Sequence, residues 1–287
     1  MTNSYFRLKC ERIEVVFDKF LHIRYNDCKV IVMLMLDKLF LYFFIYSVLG
    51  WACETIYCAI CQGKFSDRGF MYGPYCPIYG FGGMIVVMCL QPFHASPVAV
   101  FFLGMLLTTI LEYMTSYVME KLFNAKWWDY SHLPFNINGR VCLLNSFLFG
   151  IMGIIVAYGL QPKIAELVAA IPLVSIHFIV MVLLVAMSAD FVASLNTVLN
   201  FKKKLAAIKE LAESIAEKET NKLANMELIK QLEEIRKELV KKSSAWNTRI
   251  IEAFPNIDMP KLSKQLEELK LEVYRRKAKR KENKKEK

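Results

Sequence analysis

The chain has 287 residues, 55% of them hydrophobic, with 20 Phe, 14 Met and a formal net charge of +10. Residues 201–287 hold 24 Lys+Arg and 15 Asp+Glu, a net of +9, whereas residues 39–199 lack charge over long stretches. This segregation excludes an ordinary soluble globular domain and describes a membrane body joined to a basic, water-facing tail.

Residues 1–38 read as an N-terminal extension. The first 30 are charged and lack an apolar core followed by small residues, so they do not resemble a cleaved signal peptide. Ile13, Val16, Phe17, Phe20 and Leu21 fall at helical spacing, which fits an amphipathic helix in the membrane interface. The competing reading places the working start at Met33 or Met35, with a non-native segment before it.

The membrane domain covers residues 39–200. Its first apolar run, 39–60, is long enough to cross a hydrocarbon core of roughly 30 Å. A Gly/Pro-rich stretch follows, from Gly63 to Gly83. The second run, 78–90, is short at about 1.5 Å per residue, so it crosses a thin region or is re-entrant. Gln91-Pro92 and Pro97 mark a tight turn, and the third run is 98–118. A polar loop, 121–140, leads to the fourth run, 141–160, and Gln161-Pro162 is expected to turn the chain. The fifth run, 167–199, carries Pro172 and continues into the tail. The expected fold is all-α: a polytopic membrane helix bundle of about five spans, the second short or re-entrant, with a C-terminal helical, coiled-coil tail.

Residues 201–287 form the tail. Leu228, Leu232, Ile235 and Leu239 step by four, three and four, as do Leu262, Leu266, Leu269 and Val273. This is a heptad seam, suited to folding on itself, to a homo-oligomer or to another partner chain. Trp246, Ile250 and Phe254 lead into Pro255, a break. Residues 275–287 contain nine cations. Beside a membrane, anionic lipid and plain solvation explain them better than nucleic acid. With the tail inside, the inner loops carry Lys64, Arg68, Lys121, Lys126, Arg140, Lys202, Lys203, Lys204 and Lys209, against Lys163, Arg24, Lys29 and Lys38 outside. The bias predicts a multi-pass cell-membrane protein with a cytoplasmic tail.

The candidate site begins with acids inside the spans. Glu54 lies in the first, and a mid-membrane carboxylate costs about 2.5–3.5 kcal/mol, so it faces the bundle interior beside a partner. Thr108, Glu112, Ser116 and Glu120 form a polar stripe on the third span. Asn145 opens the fourth span, and Asp190, Ser194 and Thr197 line the end of the fifth. Such residues either fasten helices or line a substrate, ion or proton pathway. In the loop, Trp127, Trp128 and Tyr130 read first as interfacial anchors. Asp129, Asn136, Asn138 and Arg140 exceed what anchoring needs, and Arg140 could pair with Glu112 or Glu54 or hold an anionic group. Ser146, Gly150, Gly153 and Ala157 are small residues for helix packing, and His177 reads as a core histidine. Cys58-x-x-Cys61 lacks the second pair that a zinc site needs, so no metal or cofactor is assigned.

Three segments, FFIYSVLGWACETIY, RGFMYGPYCPIYGFGG and LEYMTSYVMEKLFNAKWWDYSHLPFNINGRVCL, resemble the ABC-transporter type IV (CmpB-like) family of bacterial integral membrane proteins. The resemblance covers about residues 39–200, and AFPNID near Phe254 is also similar. The family's characteristic positions correspond to Gly50, Trp51, Glu54, Gly69, Tyr72, Gly73, Pro74, Pro77, Tyr79, Gly80, Glu112, Trp127, Trp128, Asp129, Tyr130, Asn136, Asn138, Gly139 and Arg140. The resemblance implies a permease-like protein of unassigned substrate.

Three functions follow. A permease-like transporter subunit would use the acids as an internal polar site. It would need a separate ATPase subunit, because the sequence has no G-x-x-x-x-G-K-[ST] phosphate loop. A membrane-embedded enzyme acting on a lipid or head group would use Glu54 and Glu112 as acid and base. No Ser-His, Cys-His or metal-ligand spacing assigns a catalytic residue. A membrane-anchored scaffold or sensor would work through the helical tail.

Overall fold

The computed structural model of the chain describes residues 2–62, 69–217, 226, 228–235, 250–251 and 253–285, with side chains described in all of these except 2–29, 61–62, 215–217 and 276–285. Lys64, Arg68, Leu239 and Trp246 therefore lie outside the described residues. The side chains of Ile13 to Leu21, Arg24, Lys29, Cys10, Cys28, Cys61 and most of the basic segment 275–287 lie outside the described side chains.

Helix α1 (Thr2–Gln62) runs unbroken into the first span. It is followed by α2 (Pro77–Cys89), a 3₁₀ turn (Gln91–Phe93) and α3 (Pro97–Phe123). A two-stranded hairpin, β1 (Asn136–Ile137) and β2 (Val141–Cys142), precedes α4 (Leu143–Ile154). A π-helical stretch (Ile155–Leu160) joins α4 to α5 (Gln161–Ala169), and α6 (Leu173–Glu217) and α7 (Ser263–Lys285) complete the described elements. Four described helical stretches are long and apolar enough to cross a membrane: Val30–Ile60, Pro97–Phe123, Leu143–Ala169 and Leu173–Ser214. Helix α2 is apolar but, at about 1.5 Å per residue, shorter than the hydrocarbon core.

The outward faces explain why these helices need lipid. On α3, Val98, Phe102, Leu106, Ile110, Met114, Val118 and Leu122 recur every fourth residue and are all exposed. The opposite face, with Val100, Gly104, Glu112 and Ser116, is buried. The helix is thus apolar toward the surroundings and polar toward the bundle, the reverse of a soluble helix. Ser96 caps its start by accepting from the Ala99 amide, with Pro97 in the first turn, and Asn124 ends it at φ 50°.

Neighbouring helices lie antiparallel and close. Along α1 and α2, the Gly50 Cα faces the Tyr79 side chain and Gly80 faces Ser47 and Phe43, so a methyl group at either glycine would collide. Along α3 and α4, Gly104 meets Gly153, Phe101 covers Gly150, and the Thr109 hydroxyl donates to Ser146 Oγ at 2.8 Å. The small-residue stripe on α4 is packing, as its spacing indicates.

The turn expected at Gln161-Pro162 does not form. Proline has no N–H and its ring clashes with the preceding turn of an α-helix. The wider π-helical turn just before Pro162 accommodates both, so the span continues to Ala169. The break falls at residues 170–172, where the Pro172 carbonyl accepts from the Ser175 and Ile176 amides at the start of α6.

Apolar clusters mark the two ends of the bundle. One joins Leu41, Val86, Leu90, Val100, Ile164, Val168 and Ile176. At this end His177 is not a core residue: it is half-exposed and lies 3.0 Å from the buried Asp37 carboxylate. The other cluster joins Phe123, Ala125 and Trp127 after α3 to Val198, Phe201, Leu205 and Ile208 of α6 and to Ile251, Ile257, Leu266, Leu269 and Val273 of the tail. Phe70, after α1, packs on it as well. The ends of α1, α3 and α6 and the tail thus share one side. Helix α2 leads from that side to the other cluster, so it does not turn back as a re-entrant segment would.

The second heptad seam is occupied within the chain. Leu262, Leu266, Leu269 and Val273 pack on α6 and on the loop after α3 rather than standing open for another chain. Lys126 and Asp258 exchange both backbone hydrogen bonds, at 2.8 and 2.9 Å, fixing the tail to that loop.

Candidate functional site

The tail-side half of the bundle holds two glutamates, each bonded to a tyrosine from another element. Tyr79, in the first turn of α2, donates to Glu54 Oε2 at 3.0 Å. Tyr130, in the loop, donates to Glu112 Oε1 at 3.3 Å, longer than an ordinary O–H···O bond. Glu112 is only 6% exposed, and its Oε2 is buried without a hydrogen-bond partner among the described residues. Tyr130 interacts electrostatically with both Glu112 and Glu54, and Tyr79 interacts with Tyr130. The two glutamate–tyrosine pairs are therefore electrostatic neighbours in the same half of the bundle. Tyr79, the fourth member, enters the sequence reading only through the family resemblance. Its aromatic character gave no sign that it would meet Glu54.

Arg140 does not join that cluster. Its Nη2 lies 2.6 Å from Glu120 Oε2, and its guanidinium sits over the rings of Tyr113 and Tyr117 at 5.4 and 5.6 Å. The expected pairing with Glu112 or Glu54 is thus replaced by Glu120, about two turns further along the same helix. Tyr113, Tyr117 and Glu120 share a helix face, so one Arg side chain reaches all three.

The polar loop residues hold the loop's own shape. Asp129 Oδ1 accepts from the Ser131 amide at 2.9 Å and from its hydroxyl at 2.5 Å. These bonds, the hydroxyl's foremost, hold the Asp129 carboxyl below the usual carboxylate range. Asn136 donates to the Leu133 carbonyl at 2.8 Å and accepts from the Gly139 amide at 3.0 Å. Asn138 and Gly139, at φ 55° and 68°, form an Asn-Gly hairpin turn closed by Arg140 N–H donating to the Ile137 carbonyl. Asn138 Nδ2 donates to the Tyr113 hydroxyl at 3.0 Å, and Trp128 Nε1 to the Arg140 carbonyl at 3.0 Å. Together these contacts position Tyr130 and Arg140.

Trp127 is no interfacial anchor. It is 3% exposed and meets Phe70, Phe123 and Phe254 edge-on at 5.7, 5.5 and 4.8 Å. It forms the centre of the tail-docking core, because Phe254 and the Lys126–Asp258 bridge bring the tail over it. Asn145 is half-buried near the start of α4.

Asp190 is occupied elsewhere. One carboxylate oxygen accepts from the Tyr72 amide at 2.8 Å and Ser194 Oγ at 3.2 Å; the other accepts from the Gly73 amide at 2.8 Å and Tyr75 OH at 2.5 Å. The Tyr72 hydroxyl and Thr197 Oγ1 add a contact at 2.8 Å. Asp190 thereby clamps the Gly/Pro-rich loop after α1 onto α6, and that loop sets the start of α2 and hence Tyr79.

Residues 41–195, more than half of the chain, match the family described as Putative ABC-transporter type IV. The chain belongs to this family. No curated protein and no solved structure matches it. As a member of the type IV family with apolar spans, it is a membrane, transporter-like protein. The match spans α1 from Leu41 through Leu195 of α6, so it includes both glutamate–tyrosine pairs, Arg140 and Asp190.

Proposed function

We propose that the chain is the permease-like subunit of a transporter, with Glu54, Tyr79, Glu112 and Tyr130 as its internal polar site. The observation that carries this reading is the presence of two glutamate–tyrosine pairs, Glu54 with Tyr79 and Glu112 with Tyr130, in one half of a bundle of the type IV family. Two such pairs exceed what helix fastening requires, and each acid contacts a tyrosine able to exchange a hydrogen bond with a passing solute. Arg140 and Asp190 act as positioning residues. The organisation is a membrane domain of residues 39–200 and a cytoplasmic tail of residues 201–287, preceded by the 1–38 extension. The sequence contains no phosphate loop of its own, so energy coupling falls to a separate ATPase subunit facing the tail and the loop after α3.

Purification of the full chain from its native membranes in mild detergent tests the reading. A phosphate-loop ATPase recovered in stoichiometric amount, with ATP hydrolysis that falls on Glu112→Gln, supports it. An intact chain recovered repeatedly with no ATPase overturns the coupled-permease reading.

A further inference from the structure

The hairpin after α3 carries a surface that neither the polar site nor the tail uses. Phe135 and Ile137 are 79% and 58% exposed. They flank Asn136, which turns inward to its loop bonds, and both side chains stand exposed. Phe135 is held at φ 53°, a conformation a bulky side chain rarely adopts. The loop's hydrogen bonds thus hold two apolar side chains pointing outward, at a cost in backbone strain.

The place of the hairpin identifies what covers that face. Its tip bonds through Asn138 to Tyr113 of α3. Tyr113 lies sixteen residues past Pro97, about 24 Å along a helix long and apolar enough to cross a hydrocarbon core of roughly 30 Å. The Phe135 carbonyl accepts from the Leu143 amide, joining the hairpin to the first turn of α4, where Leu143, Leu144 and Phe147 are exposed. Phe135 and Ile137 therefore continue the lipid-facing surface of α3 and α4. Tyr113, Tyr117 and Arg140 beside them form the mixed aromatic and cationic set found where helices leave the bilayer.

We propose that this hairpin inserts Phe135 and Ile137 into the tail-side leaflet of the bilayer, so that lipid is the partner of this face and holds the loop bearing Tyr130 and Arg140. The backbone meets the demand that lipid makes of irregular structure, because the hairpin closes its own hydrogen bonds. Burying a Phe side chain in an apolar phase favours the inserted state by more than roughly tenfold.

Photo-crosslinking in lipid nanodiscs tests this on the full chain. Phe135→p-benzoylphenylalanine and Ile137→p-benzoylphenylalanine are irradiated beside the same substitution at Val174, on the exposed face of α6, and at Lys264 in the tail. The expected result is a lipid adduct at positions 135 and 137 with a yield like that at Val174 and roughly tenfold above that at Lys264. Lipid adducts at Val174 but not at positions 135 and 137, or adducts there to a second protein chain, overturn the proposal.

Discussion

Tyr130 donates to Glu112 across 3.3 Å, and this bond ties the loop after α3 to the buried polar face of α3 itself. Among the described residues it is the one donor to that carboxylate, because Glu112 Oε2 has no partner there. The loop, the acid and the helix stripe are therefore one unit. Tyr130→Phe deletes the donor while keeping the ring, and leaving the carboxylate without it costs about 1–3 kcal/mol. Thermal unfolding in detergent should fall accordingly. In Tyr130→Phe combined with Glu112→Gln, the losses should add to less than their sum, since both remove the same contact.

Asp190 should prove structural in its first effect. Asp190→Asn gives up one acceptor oxygen and the charge, so the amides of Tyr72 and Gly73 and the Tyr75 hydroxyl compete for what remains. A hydrogen bond to a charged group is worth about 1.5–3 kcal/mol, and a loss of that order is expected locally. Hydrogen exchange at residues 72–76 should quicken while the exposed ends of α3 keep their rates.

Trp127→Ala should loosen the tail from the membrane body. The indole fills the space between Phe70, Phe123 and Phe254, and emptying such a space costs about 3–5 kcal/mol. Proteolysis near residues 250–262 should then outpace the wild type. Trp128→Ala, which loses one hydrogen bond to the Arg140 carbonyl, should have the smaller effect.

Asp129 supplies a pH dependence of definite sign. Its folded pKa lies below the unfolded one, chiefly through the Ser131 hydroxyl and amide. Its contribution is therefore complete above the unfolded value, near about 4, and is lost as pH falls through the folded value. Exchange of the Ser131 amide should accelerate below that range, and Asp129→Asn should flatten the dependence.

The spans were legible because apolar length is a local property, and residues 39–60 and 98–118 needed no partner to be read. The same locality explains the misses. Pro162 signals a turn by its own chemistry, yet a π-helical stretch upstream admits it without one. Trp127 reads as an anchor until Phe254, more than a hundred residues away, is seen against it. Glu54 and Glu112 were visible as acids within spans, and Glu112 and Ser116 of the stripe are buried. Their tyrosines, and the choice of Glu120 over Glu112 by Arg140, depend on helix contacts that no periodicity records.

The most direct test of the account compares solute uptake by cells carrying the wild-type chain with uptake by cells carrying Glu112→Gln, at equal membrane levels. The account predicts that at least one small solute accumulates with the wild type and not with the variant, and that Glu54→Gln fails on the same solute. Identical solute profiles for the wild type, both variants and cells lacking the chain would contradict it.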